Sequence, residues 1–184
     1  LEVYKEMLPK IAKLIKPEAL VIDVCSVKKR AEQLLSQYLP GHSNVLATHP
    51  LFGPQAIATG IAGCKLVVTK SSGELAGQFI DFCHNELGLT VIHMSADKHD
   101  KAMAQVHAVT FFVAKGLANL NIGENDFITP SYRMILDLVS FDKRHSKSLF
   151  DTIERGNPYA ADIRKKLVDT FDALEKDLEE EGML

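Results

Sequence analysis

The sequence predicts an α/β half followed by an all-α half. Four short apolar, β-branched runs alternate with helical patterns up to Met94, and only helical patterns follow it. Hydrophobic residues make up 46% of the 184 residues, which is enough to build a packed core. We therefore expect two domains, one at 1–95 and one at 96–184, with the boundary where the strand patterns end.

The first half is predicted to form a sheet with helices packed on both of its faces. Continuous apolar strands with helices between them are typical of that arrangement. The predicted strands cover residues 19–25, 44–48, 64–69 and 89–93. Between the last two, residues 74–87 place apolar side chains at helical spacing, and Gly88 ends the helix.

The second half contains helical patterns alone. The predicted helices cover 95–121, begin again at 129, and then cover 147–154 and 157–182. Thr129 and Pro130 are a typical cap and first-turn residue. The fourth helix carries an apolar stripe that includes Phe171. Apolar residues nearly encircle the first helix at 108–113, so we expect a homodimer through this half, with a charge at Phe112 as its strongest disruption.

Composition and charge exclude several classes of partner. The formal net charge is −3, which argues against nucleic acid and against a membrane surface. No apolar run approaches the ~18 residues of a membrane helix, and no signal peptide is visible, so we expect a cytoplasmic protein. Cys25, Cys64 and Cys83 lie in apolar segments without C-x-x-C spacing, which indicates buried thiols. No His/Cys pattern predicts a metal site.

Residues 48–54, Thr-His-Pro-Leu-Phe-Gly-Pro, predict a stiff loop that is neither helix nor inner strand, because proline fixes φ and removes a backbone donor. His49 lies at the entrance of this loop. Pro50 forces it into extended backbone, and Pro54 stiffens the exit. A rigidly held imidazole suits acid–base chemistry, although the same stretch is also an ordinary way to end a strand.

The preceding predicted strand ends in Cys25-Ser26-Val27-Lys28. In open α/β sheets ligands bind beyond the carboxyl ends of strands, so Ser26 and Lys28 could meet a ligand there. The alternative is a serine that caps the next helix and a lysine in water. Because His49 ends the next strand, a hydroxyl, an ammonium and an imidazole are expected at one edge of the sheet.

The start of the helical half carries further polar candidates. His99 and His107 are eight residues apart, hence about 80° apart around a helix, so with Gln105 they could border one cleft. Buried polar contacts with neighbouring helices are the alternative for Gln105 and His107. Arg133 lies near a helix N-terminus, where the dipole disfavours a cation. Its anionic partner is a bound carboxylate or, more simply, Asp137 one turn along.

Taken in order, these segments resemble the prephenate dehydrogenase family, with which the arogenate dehydrogenases of tyrosine biosynthesis share the fold and most signatures. The resemblance runs over nearly the whole chain. It identifies 1–95 as part of a Rossmann-like nucleotide-binding domain and 96–184 as a helical substrate-binding and dimerisation domain. The matching segments run from Asp23 to Lys28, His49 to Pro54, His99 to Ala104, and Thr129 to Arg133.

The resemblance implies an oxidoreductase that passes a hydride from the hydroxyl-bearing ring carbon to NAD or NADP, with loss of carbon dioxide. Prephenate would give 4-hydroxyphenylpyruvate, and arogenate is the alternative substrate. His49 would draw off the hydroxyl proton, with Ser26 within hydrogen-bonding reach of its ring. Cys25 and Pro50 would join Ser26 at the cofactor. The residues expected to bind the substrate are Lys28, His99, Gln105, His107, Tyr132 and Arg133.

Two features depart from the family pattern. The sequence contains no G-x-G-x-x-G turn, so we expect it to start inside the nucleotide domain, with residues 2–14 as a connecting helix. This chain alone would then bind dinucleotide weakly and be inactive, and a non-catalytic, dimerising or effector-binding module is the alternative. Phe141 stands where the family usually has a second arginine, with Lys143 and Arg144 just beyond, which keeps arogenate open.

Overall fold

The computed structural model describes residues 1–53, 56 and 58–181. The chain divides into two compact units, Leu1–Asp100 and Lys101–Leu184, whereas the sequence predicted a boundary after residue 95. The first unit holds a sheet with helices and the second holds helices, so the predicted fold class is confirmed. Among the helices of the described residues, none is long and apolar enough to span a membrane.

The first unit is built on a four-stranded mixed sheet in the order β1-β2-β3-β4. The strands are β1 (Val21–Asp23), β2 (Val45–Pro50), β3 (Lys65–Ser72) and β4 (Thr90–His93). β1 and β2 run parallel, with Asp23 opposite Ala47, so their carboxyl ends lie at the same edge of the sheet. β3 is antiparallel to β2, and β4 is parallel to β3.

Three helices cover the two faces of this sheet. They are α1 (Glu2–Ile11), α2 (Lys28–Tyr38) and α3 (Glu74–Asn85). Side chains of α1 and α2 pack on one face against Val45 and Ala47. Ala76 of α3 packs with Leu46 and Val68 on the other face. Alternate residues of β2 therefore enter opposite cores, as the continuous apolar strand predicted.

The prediction that residues 48–54 contain no inner strand is wrong for Thr48, His49 and Pro50. These residues complete β2, which lies between β1 and β3. The Leu51 N–H donates to Lys65 O of β3 at 2.9 Å, so the neighbouring Pro50 nitrogen points away from β3. On that side β1 pairs with β2 only as far as Ala47, so the missing proline donor breaks no ladder. Pro54 lies outside the described residues.

The second unit consists of helices that follow α4 (Ala96–Met103), in which the unit boundary falls. They are a π-helical segment (Ala104–Ala108), α5 (Val109–Asn119), α6 (Pro130–Arg144), α7 (Lys147–Gly156) and α8 (Ala160–Glu181). The predicted cap is confirmed, because Thr129 Oγ1 accepts from Tyr132 N at 3.1 Å. The single helix predicted over 95–121 is interrupted by the π-helical segment. Residue 182 lies outside the described part of the chain.

The core of the second unit leaves part of α8 uncovered within this chain. The buried residues of this core cluster are Ala108, Phe111, Ile153 and Ala160. Farther along α8, three members of the predicted stripe, Phe171, Leu174 and Leu178, are exposed at 53–57%, and the nearby Val168 is exposed at 41%. Helical periodicity predicted the stripe, but it did not predict that the last two turns of the stripe would be exposed to solvent.

Candidate active site

His49 lies near the carboxyl end of β2 and is 4% exposed. Its Nδ1 is 2.8 Å from Nε2 of His99, which is the distance of a hydrogen bond. The two rings meet edge to face, with centroids 5.0 Å apart. The structure therefore brings His49 and His99, which are 50 residues apart in the sequence, into direct contact.

Asp100 continues this contact away from the sheet. Its Oδ1 lies 2.8 Å from Nδ1 of His99, and both side chains are fully buried. The same carboxylate accepts from two backbone amides at the start of α2, Lys28 N at 2.8 Å and Lys29 N at 2.9 Å. A negative charge at a helix N-terminus satisfies amides that have no partner within the helix and complements the helix dipole.

The cap of α2 corrects one alternative drawn from the sequence. The N-cap residue is Val27, which has no hydrogen-bonding side chain, and Ser26 precedes it. The amides of Lys28 and Lys29 bond to Asp100, so Ser26 does not cap this helix. The carboxylate that does so comes from 72 residues farther along the chain.

Lys28 is fully buried beneath the edge of the sheet. Its Nζ forms an ion pair with Asp23 Oδ2 and donates to Thr48 O at 2.5 Å. Asp23 Oδ1 also accepts from Tyr4 Oη and from Cys25 N, and burial beside this carboxylate raises the pKa of Tyr4. The alternative of Lys28 in water is wrong, because its side chain is buried. The Lys28 ammonium, which was expected to bind a substrate carboxylate, pairs with Asp23 instead.

The residues expected at the cofactor line the same edge. Cys25 and Ser26 are half-buried in the turn after β1, and Pro50 is half-buried at the end of β2. Burial raises the pKa of the Cys25 thiol, so it stays protonated at neutral pH. The ring contact that the structure shows is the one from His49 Nδ1 to His99 Nε2. Ser26 within hydrogen-bonding reach of the same ring stays a prediction.

Two candidates of the second unit lie on the π-helical segment. Gln105 is exposed, and His107 is half-buried with its ring 6.3 Å from that of Phe111. π-Helical turns inside α-helices are rare and occur often at functional sites. Gln105 and His107 therefore lie on a π-helical turn, whereas the sequence predicted a regular α-helix there.

Tyr132 and Arg133 contact the loop that precedes α6. Tyr132 Oη donates to Gly123 O at 2.8 Å. Arg133 donates to Glu124 Oε1 at 2.7 Å, and this contact raises the pKa of the guanidinium. The prediction of Asp137 as the direct partner of Arg133 is wrong, because the guanidinium donates to the carboxylate of Glu124 in the preceding loop.

Phe141 belongs to the aromatic core of the second unit. Its ring lies 4.9 Å from that of Phe111 and 4.2 Å from that of His145, between centroids. His145 is held in turn by a 2.7 Å contact from its Nδ1 to Phe141 O. Lys143 and Arg144, the cations expected just beyond Phe141, are exposed in the last turn of α6.

Asp100 and Asp23 are the site residues that sequence reasoning missed. Both lie inside the segments that resemble the family, Asp100 directly after His99 and Asp23 within the strand predicted over residues 19–25. An acidic residue among apolar strand residues is the signal that could have found Asp23, because buried carboxylates need a partner. No local sequence pattern predicts the contact of Asp100 with the start of α2.

Comparisons with known proteins find similar sequences in one family of dehydrogenases. A family model described as "Prephenate dehydrogenase, nucleotide-binding domain" matches residues 1–69. Arogenate dehydrogenase 2, chloroplastic, of Arabidopsis thaliana is 30% identical over 89% of this chain and 48% of its own length. A 4-amino-4-deoxyprephenate dehydrogenase of Streptomyces pristinaespiralis is 26% identical over 85% of this chain and 54% of its own. The chain thus spans about half the length of the curated relatives it matches.

A solved structure shares the fold. Prephenate dehydrogenase from A. aeolicus, in complex with hydroxyphenyl propionate and NAD+, superposes with a TM-score of 0.73 at 18% identity. The match covers 98% of this chain and 67% of that one. Both units of the chain therefore have counterparts in one known architecture.

Proposed function

This chain belongs to the prephenate and arogenate dehydrogenase family, and we propose that it carries the acid–base centre of an NAD(P)-dependent oxidoreductase. The reaction is the oxidative decarboxylation of prephenate to 4-hydroxyphenylpyruvate in tyrosine biosynthesis. One observation carries the proposal: His49 lies buried at the carboxyl end of β2, beside the end of the parallel strand β1, with its ring held by His99.

His49 is the proposed base. Oxidation of an alcohol needs a group that takes the hydroxyl proton as the hydride leaves, and a neutral imidazole has a suitable pKa. Burial keeps bulk water away from the ring, so a hydrogen bond from the substrate hydroxyl has less competition there. Ser26, half-buried at the end of the neighbouring strand, is proposed to orient the reacting groups.

Cys25, Ser26 and Pro50 are proposed to contact the cofactor. They lie at the carboxyl edge of parallel strands, which is where nucleotides bind in α/β sheets. NAD or NADP, when bound, supplies the hydride acceptor. These residues are proposed to meet the nicotinamide end of the dinucleotide, because they lie at the same edge of the sheet as His49, the proposed base.

Gln105, His107, Tyr132 and Arg133 remain the proposed substrate-binding residues, and His99 becomes a neighbour of the base. Arogenate is the second candidate substrate, and Phe141 favours it. That side chain packs into the aromatic core where a second arginine was expected. Arogenate carries an ammonium group that lowers its net negative charge, so it requires fewer cations than prephenate.

A homodimer through the helical unit is part of the proposal. The exposed stripe of α8 supports it, because contiguous apolar surface of this kind marks an interface. The cytoplasmic location and the lack of nucleic-acid and membrane partners stay predictions from the sequence.

The experiment that tests the function is an assay of the whole protein with four substrate and cofactor pairs, prephenate or arogenate with NAD or NADP. Cofactor reduction is followed by absorbance and the aromatic product by chromatography. We expect turnover with at least one pair. A folded protein that binds dinucleotide but reduces it with neither substrate would favour the non-catalytic module.

A further inference from the structure

We propose that Asp100 and His99 are positioning residues that hold His49 in one tautomer, with the proton on Nδ1 and the basic lone pair on Nε2. The catalytic meaning of this tautomer rests on the proposed function. The tautomer itself follows from three buried side chains of the first unit and can be measured without any substrate.

The first step concerns Asp100. Its Oδ1 accepts from Lys28 N and faces His99 Nδ1, and its Oδ2 accepts from Lys29 N. An ionised carboxylate only accepts hydrogen bonds, and both oxygens here face donors at the start of a helix. The contact from His99 Nδ1 therefore requires a proton on that nitrogen.

The second step concerns His99. A neutral imidazole carries one N–H and one lone pair, so protonation at Nδ1 leaves the lone pair on Nε2. That Nε2 is 2.8 Å from His49 Nδ1, and a hydrogen bond of this length needs one donor and one acceptor. His49 Nδ1 must then be the donor.

The third step concerns His49. With its proton on Nδ1, neutral His49 holds its lone pair on Nε2, which is therefore the nitrogen that would take up the substrate proton. When the substrate O–H bond breaks, the proton forms a new N–H bond at Nε2 and the ring becomes positive. Its Nδ1–H still donates to His99, which connects the new charge to the buried carboxylate of Asp100.

The first test is NMR on the 184-residue chain with 15N-labelled histidine rings. Long-range 1H–15N spectra distinguish protonated from unprotonated ring nitrogens. We expect His49 with Nδ1 protonated and Nε2 unprotonated, and a mixture of tautomers in a folded His99→Phe variant. A proton on Nε2 of neutral wild-type His49 would overturn the proposal, and so would an unchanged single tautomer in His99→Phe.

The second test uses kinetics of the whole protein. The His99→Phe variant should lower kcat on the order of 10²-fold with little change in KM, because the base is misplaced while substrate contacts stay. The His99→Gln variant should recover most of the loss, since an amide oxygen can accept from His49 Nδ1. Equal losses in both variants would contradict a positioning role. If His49 proves not to be the base, the NMR result still decides the tautomer.

Discussion

The two units differ in how they hold their polar site residues. In the sheet unit, Asp23, Lys28, His99 and Asp100 are buried and pair with one another. In the helical unit, Arg133 and Glu124 are exposed and pair across a short loop. Buried groups must find partners to offset their desolvation, whereas exposed groups pair at little gain because water competes. The difference teaches that the buried pairs of the sheet unit are arranged before any ligand binds, while Arg133 and Glu124 of the helical unit keep their charges accessible.

The largest effect on stability should come from the buried ion pair. Lys28→Met leaves the Asp23 carboxylate buried without its cation, which should lower the free energy of unfolding by about 3–5 kcal/mol. Urea unfolding measures the change. The control is Lys29→Met, which removes a half-exposed partner of Asp97 and should cost little. The double variant Lys28→Met/Asp23→Asn should recover part of the loss. Equal losses for Lys28→Met and Lys29→Met would remove the contrast between buried and exposed pairs.

The next effect concerns the apolar stripe of α8. Phe171→Asp places a charge in the proposed dimer interface and should weaken self-association about 10-fold or more, with the helical content retained. Light scattering over a concentration series measures it. Lys166→Asp, on the polar side of the same helix, is the matched control. A wild-type protein that stays monomeric at micromolar concentration would refute the dimer.

A smaller effect is expected at Arg133. Arg133→Gln should raise KM about 10-fold while thermal stability stays unchanged, because the guanidinium is exposed and a charge-assisted bond to a substrate carboxylate is lost. Glu124→Gln removes the partner and keeps the cation, so its KM should not rise. An unaltered KM in Arg133→Gln would leave this residue as surface structure.

The smallest effect is a pH dependence at Glu154, the buried acid of the helical unit. Its Oε2 accepts from Arg164, and its Oε1 has no hydrogen-bond partner among the described residues. Burial raises the pKa of Glu154 above its ordinary 4.5, so its contribution to stability is present below that pH and is lost as the pH rises through the folded-state pKa. Glu154→Gln should therefore gain stability relative to wild type with rising pH. The measurement is urea unfolding from pH 4 to 8, with exposed Glu175→Gln as control, and a pH-independent difference would contradict it.

Local patterns were sufficient to predict the fold class and several helix ends. The Thr129 cap depends on residues within one turn, so it could be predicted. The continuation of β2 through Pro50 could not, because it depends on where the neighbouring strand β1 stops. The exposure of Phe171 depends on which helices cover it, and periodicity alone does not report that.

The candidate site likewise contains features that local patterns predicted and features that they did not. The sequence predicted His49 and Ser26 at one edge of the sheet, because each ends a strand. It did not predict that Asp100 would bond to residues 72 positions away, or that Lys28 would turn inward to Asp23. Such contacts join elements that are distant in the sequence and are settled only by folding.

The kcat of His49→Asn in the whole protein tests the central claim most directly. Asparagine keeps a polar side chain of similar reach but cannot take up a proton, so kcat should fall by at least ~10²-fold with nearly unchanged KM. The control is His42→Asn in the same unit. His42 precedes the amino end of β2, and its ring contacts Ala19 O at 2.7 Å. Its kcat should stay close to that of the wild type. A near-normal kcat in His49→Asn would contradict His49 as the base and leave it as the buried end of a strand.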